Sequence, residues 1–199
     1  MKYYIELTLL PDMETPVYYL WEKVYQQLHL ALVEQLENDK SKVGVSFPRY
    51  SENRKTLSNK LRLFALSETD LQALNLKMYF ARLEDYVHKT SIKEIPEDKI
   101  KGYAFFKREQ VKSNVERLAK RRASNLKISY EEALSFFLNE KNRKQPDKTR
   151  TEAPFIYLYS QTRKQRFPLF IDIEGTEQKP EKAEFSSYGL STTCSVPLF

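Results

Sequence analysis

Residues 2–48, KYYIELTLLPDMETPVYYLWEKVYQQLHLALVEQLENDKSKVGVSFP, hold three structural elements in a row. Residues 2–10 alternate apolar and polar with the period of a strand. From Pro16 to Glu37 the residues Trp21, Val24, Tyr25, Leu28 and Leu32 recur at helical spacing, so a long amphipathic helix is expected there. VGVSFP at 43–48 is a short apolar run ended by proline, the pattern of a buried strand. Working outward, KLRLFAL at 60–66 supplies another strand. Ser67 then caps a helix opening SETDLQAL, which extends or is followed by another helical piece to Leu83. YVHKTSIKEI at 86–95 closes as a strand before Pro96. Strand, helix, two strands, helix, strand is the split β-α-β order of the ferredoxin-like (RRM-like) fold. The expected fold class is therefore α+β, a class that by itself decides no function.

The pattern changes across PEDKIKG at 96–102, which sets a domain boundary between 1–96 and 97–199. The second part opens with YAFFKREQ, an aromatic alternation typical of a strand, and continues into Lys107–Lys127, KREQVKSNVERLAKRRASNLK. That segment carries eight Lys and Arg against two Glu, so its net charge matches the +6 of the whole chain. Ser113 followed by Glu116 forms a capping box, which starts a helix near Asn114. At about 100° per residue, Arg117, Lys120, Arg121 and Ser124 share one face, while Val115, Leu118, Ala119 and Leu126 share the other. Arg122 turns toward the apolar side. The strand before the helix places Arg108 and Gln110 on one side, and these two residue types can pair with guanine and adenine edges. A cationic rail beside two base readers points to nucleic acid. SYEEALSFFLNEK reads as a further helix, KNRKQPDKTRTEA as a loop without a large hydrophobe, and PFIYLYSQT with RFPLFIDIE as a hairpin.

Composition agrees with this reading and narrows it. The 199 residues are 41% hydrophobic and 13% aromatic, enough for a real core. With 33 basic and 27 acidic residues and a pI near 9.2, the excess favours a polyanionic partner. A single cysteine, Cys194, leaves no internal disulfide and fits a reducing compartment. The opening residues are too short and too acidic for a signal peptide, and no apolar run approaches about 20 residues. A cytoplasmic location and no membrane partner are expected.

The catalytic inventory is small. There are two histidines, no Cys/His cluster at ligand spacing, no paired-carboxylate metal motif and no glycine-rich phosphate loop, so neither a metal nor a small-molecule cofactor is expected. His29 sits at the lip of the apolar stripe of the first helix, where an imidazole can meet both core and solvent. His88 alternates with Val87 in a strand and reads as a surface residue, and Cys194 reads as a small packed residue.

Five blocks carry a resemblance: LHLALV around His29, VGVSFP at 43–48, KSN-V-ERL at 112–118, SQ-x4-RF-x-LFI at 160–171, and FSSYGLS with a terminal VPLF at 185–199. In this order and near this spacing, across essentially the full chain, they resemble the type I-F CRISPR endoribonucleases, the Cas-six f or Csy-four family. The resemblance implies a ferredoxin-like domain at 1–96 and a divergent α+β RNA-hairpin-binding domain at 97–199. It also implies metal-independent cleavage of CRISPR repeat RNA at the base of a stem-loop, leaving a 2′,3′-cyclic phosphate and a 5′-hydroxyl. The enzyme is expected to stay on the crRNA hairpin, with other subunits of a type I-F surveillance complex as partners. Residue by residue, His29 matches the catalytic histidine, Ser160 the serine that positions the attacking 2′-hydroxyl, and Tyr188 a supporting tyrosine. Arg108 and Gln110 match readers of base edges in the lower stem, and Phe167 an aromatic stacked at the stem base. Lys112, Arg117, Lys120 and Arg121 belong to the RNA-binding segment, whose helix lies in the RNA major groove. Here the chain departs from the family, whose helix is richer in arginine; Ala119, Ser124 and Asn125 stand in this one.

The chemistry of RNA fits these residue types. RNA carries its own nucleophile, so cutting it requires removing a 2′-hydroxyl proton, holding the oxygen in line and stabilising a charged phosphorane. One imidazole and one hydroxyl could suffice. Two alternatives share parts of the pattern: a catalytically silent RNA-hairpin-binding subunit, and a helical DNA-binding regulator, which would prefer duplex DNA.

Overall fold

A computed structural model of the chain describes residues 1–110, 115–139, 152–180 and 182–199. The side chains of Val115 and Arg117 lie outside the description, as do Lys112, the Ser113 half of the capping box and most of the 141–153 segment. The protein is α+β. By packing it divides into one unit of residues 1–109 and 153–199, and a second of residues 110–152. The boundary expected at 96/97 falls between the two sheets of the first unit.

The first sheet is built around β1 (Tyr3–Leu9), whose alternation buries Ile5, Leu7 and Leu9. β3 (Lys60–Ala65) runs antiparallel to β1 from Tyr3↔Ala65 to Thr8↔Lys60, and β2 (Gly44–Ser46) lies outside β3. β4 (Val87–Lys89) covers the other side of β1, giving the order β2-β3-β1-β4. β1 and β2 are joined through α1 (Val17–Glu34) and stand apart with β3 between them, a split β-α-β unit. Ser67 caps α2 (Glu68–Ala73), its hydroxyl accepting the Asp70 N–H at 3.2 Å, and a left-handed Asn75 separates α2 from α3 (Leu76–Tyr79).

The closing strand expected over 86–95 is two short pieces, β4 and β5 (Lys93–Glu94), both paired with β1. The pairing shifts by one residue between Leu7↔Lys89 and Tyr4↔Lys93, so the stretch between them bulges. Thr90 sits at this break; its hydroxyl accepts the Glu6 N–H at 3.1 Å, a bond that a regular ladder would give to backbone.

The second sheet contains β6 (Gly102–Glu109), the hairpin of β7 (Phe155–Ser160) and β8 (Gln165–Thr176), and β9 (Val196–Leu198), in the order β7-β8-β6-β9. The hairpin predicted from PFIYLYSQT and RFPLFIDIE is present, closing at Ser160↔Gln165. α1 packs against both β1 and β7 and buries Leu20, Trp21, Val24, Tyr25, Leu28, Ala31 and Leu32. Phe47 joins the layers, with ring centroids 5.5 Å from Trp21 and 5.8 Å from Phe106 of β6. A Leu28→Ala change in such a site costs about 2 to 5 kcal/mol.

The second unit pairs α4 (Val115–Leu126) with α5 (Tyr130–Leu138), the latter capped by Ser129. Ala119 and Ala133 are buried, and the Arg122 guanidinium lies 3.7 Å from the Phe136 ring centroid, on the packing side where the helical wheel places it. Leu126, expected on that face, is instead 54% exposed, because α4 ends there and Lys127 turns into the left-handed region. No helix among the described residues is long and apolar enough to cross a membrane.

Candidate active site

α1 presents Glu22, Gln26 and His29 along one stripe, and each meets the segments folded beside it. Glu22 pairs with Arg166 of β8, the Gln26 side-chain oxygen accepts the Tyr159 N–H at 2.9 Å, and His29 Nδ1 lies 2.8 Å from the Ser187 carbonyl oxygen. A carbonyl can only accept, so Nδ1 carries the proton and Nε2 is left with the lone pair of the neutral ring. Tyr188 stacks on the imidazole at 4.4 Å with a 13° interplanar angle. Burial lowers the His29 pKa, and the hydrogen bond to Ser187 opposes that shift without overcoming it. The result is a ring that stays neutral near pH 7, fixed in one tautomer.

The Ser187 carbonyl is aimed by a turn that depends on glycine. Gly189, at φ +69°, donates its N–H to the Ser186 carbonyl at 2.8 Å, and the Val45 N–H donates to the Gly189 carbonyl at 2.9 Å. A Cβ at Gly189 would collide with Val45, and one at Gly44 with the Phe185 ring. Phe185 exchanges two backbone hydrogen bonds with Ser41, so the tail is bonded to the segment leading into β2. From inside, the Tyr25 hydroxyl donates to the Tyr188 carbonyl at 2.9 Å, and burial holds that hydroxyl in its protonated form. Residue choice in β2, α1 and the tail thus converges on one imidazole.

Arg108 continues the inward face of β6 after Ala104 and Phe106, but beyond the core, so its head is exposed. Its guanidinium carbon lies 5.6 Å from the Phe167 ring centroid and 5.4 Å from that of Tyr188. His29, Tyr188, Arg108 and Phe167 therefore form one continuous cluster. Ser160 ends β7, where its hydroxyl accepts the Arg163 N–H at 3.2 Å, and it directly follows the Tyr159 that Gln26 holds. The strand expected to carry both Arg108 and Gln110 stops at Glu109↔Phe170, so Gln110 stands one residue beyond it, exposed. Lys120 and Arg121 are exposed on α4, Arg117 lies in the same helix, and Lys112 is outside the described residues. His88 is exposed in β4, and Cys194 is buried with its thiol pKa raised by that burial. Among the described residues, no three His, Cys, Asp or Glu side chains gather as a metal site would require.

Two contributors are invisible to a motif reading: the Ser187 carbonyl, because a backbone atom has no residue-type signal, and Gln26, whose polar side chain looks like any other on a helix surface. The nearest available signal was the placement of Gly44 and Gly189 in a chain with only four glycines.

The model of the CRISPR-associated protein family Cas_Csy4 matches residues 4–199. Two relatives, from Escherichia coli (strain UTI89) and Pseudomonas aeruginosa (strain UCBPP-PA14), are each called CRISPR-associated endonuclease Cas6/Csy4. Both are 34% identical to this chain, over 199 and 201 residues respectively, with 100% of each chain covered.

Proposed function

The chain belongs to the Cas_Csy4 family of CRISPR-associated proteins and is an endoribonuclease, and from that premise we propose that it cuts CRISPR repeat RNA at the base of a stem-loop by internal transesterification. The observation that carries this reading is the fixed, neutral His29 with Nε2 free. Nε2 takes the proton of the 2′-hydroxyl on the nucleotide upstream of the cut. The 2′-oxygen then bonds to phosphorus as the bond to the downstream 5′-oxygen breaks, giving a 2′,3′-cyclic phosphate and, once that oxygen gains a proton, a 5′-hydroxyl. Ser160 holds the 2′-hydroxyl in line. A positioned base contributes roughly 10² to 10⁴ in rate, and alignment supplies much of the remainder.

Phe167 supports the terminal base pair, a contact worth about 1 to 3 kcal/mol. Arg108, steadied by Phe167 and Tyr188, reads the lower stem with Gln110. Lys112, Arg117, Lys120 and Arg121 contact phosphates. Every one of these contacts survives the cut, so the enzyme keeps the crRNA hairpin and enters a type I-F surveillance complex with it. The chemistry asks for no Lewis acid.

A hairpin RNA cleavage assay in excess chelator tests the proposal. Undiminished cutting, with cyclic phosphate on the upstream fragment, is the expected result. Activity lost to EDTA and restored by magnesium would overturn metal independence, and binding without cutting would favour the catalytically silent subunit.

A further inference from the structure

A cleft of about 680 Å³ runs beside α1, within the size range of ligand sites. Its walls include Lys23 and Gln26 of α1, Arg82 after α3, and Tyr157 and Tyr159 of β7. His29, Ser160, Tyr188, Arg108 and Phe167 do not line it, but two of its wall residues neighbour His29 and Ser160 in the chain. Gln26 lies one helical turn before His29, and the Tyr159 whose N–H it holds directly precedes Ser160.

The walls have a definite chemistry. Tyr157 and Tyr159 point outward from β7 and are 38% and 43% exposed, although aromatic rings usually gain by burial. Arg166 lies 4.1 Å from the Tyr157 ring centroid and is already paired with Glu22, the one carboxylate among the described residues that line the cleft. Lys23 and Arg82 have no carboxylate partner among the described residues, the Lys23 ammonium lying 5.1 Å from the Tyr19 ring centroid. Exposed aromatic rings beside cations that no carboxylate neutralises suit single-stranded nucleic acid, whose bases stack while its phosphates meet charge.

The proposed reaction selects which strand this is. Phe167 supports the last pair of the stem, and the reacting phosphate joins that pair to the first unpaired nucleotide downstream. The strand that leaves from His29 and Ser160 is therefore the 3′ one. We propose that this cleft is a subsite for the single-stranded RNA immediately 3′ of the cut, stacked on Tyr157 and Tyr159 with its phosphates at Lys23 and Arg82. The inference rests on the endoribonuclease reading. Its consequence is a division of contacts: those in the cleft belong to the substrate and to the departing strand, not to the retained hairpin.

The test uses three hairpins with a 2′-deoxy nucleotide before the scissile phosphate: bare, extended 3′, and extended 5′ by the same length. Their affinities are measured for wild type, Tyr157→Ala and Arg82→Ala. The 3′ extension should tighten wild-type binding about tenfold, within the range of one or two stacked bases. Each substitution should remove most of that gain while leaving bare-hairpin affinity as in wild type. No gain, an equal gain from the 5′ extension, or a gain that survives both substitutions overturns the subsite. Failure of the underlying reading looks different, because wild type would then not hold the bare hairpin. In that case the free extension strand decides: binding by wild type that both variants lose supports the cleft, and no binding overturns it.

Discussion

α1 and α4 both carry a polar stripe, but the two stripes are held in opposite ways. On α1, Glu22, Gln26 and His29 each bond to a residue more than 130 positions away in the chain. On α4, Lys120 and Arg121 project into solvent without an ion-pair partner among the described residues. The difference matches two kinds of task. Proton transfer needs an atom fixed to a fraction of an ångström, whereas phosphate recognition needs charge on arms that can follow the backbone. A side chain tied on several sides is expected to govern rate, and one left free is expected to govern affinity.

The largest effect should come from breaking the tied stripe. His29→Ala should cut about 10² to 10⁴ times more slowly while binding the hairpin as wild type does, measured by single-turnover kinetics beside a binding titration. The wild-type pH profile sharpens the same point. Burial lowers the His29 pKa below the ordinary value of about 6.5, and the neutral ring is the active form. The rate should therefore be level through pH 7 and fall only on the acid side, with a midpoint below that value. A midpoint above it would contradict the burial account.

Arg108 stands between the two regimes, steadied by rings but exposed at its head. Arg108→Ala or Gln110→Ala should cost about 1 to 3 kcal/mol of discrimination between base pairs at the stem bottom, read from binding to a panel of altered stems. Equal weakening across the panel would remove base reading from these two residues. The smallest effects should lie on α4. Arg117→Ala and Arg121→Ala should each weaken binding to most stems alike and lower the salt-dependence slope by about 1, visible in titrations over a range of ionic strength.

The legibility of the sequence divides along similar lines. α1 could be read because its apolar stripe from Trp21 to Leu32 repeats at helical spacing, and the β7–β8 hairpin because two apolar, aromatic-rich runs bracket a short polar turn. The same logic placed His29 at the edge of the core, since its neighbour Leu28 is in it. The bulge after Lys89 was not legible: His88, Lys89 and Thr90 are all polar and carry no periodic signal, and only the pairing shift reveals that two residues face one. Leu126 misled because periodicity counts a leucine as buried without knowing where its helix ends. The hold on His29 was hidden for a deeper reason. It depends on a carbonyl whose direction is set by Gly189, Val45 and Tyr25, residues brought together only by the fold.

The central claim is that His29 activates a nucleophile supplied by the RNA itself. Replacing the single 2′-hydroxyl just upstream of the scissile phosphate with hydrogen leaves the stem, its phosphates and the Phe167 stacking surface unchanged. Hairpin affinity should then stay close to that of the all-RNA substrate, and cleavage should vanish because the attacking atom is gone. Cutting of the 2′-deoxy hairpin at the same position would mean that water or a protein group attacks instead, and would contradict the account.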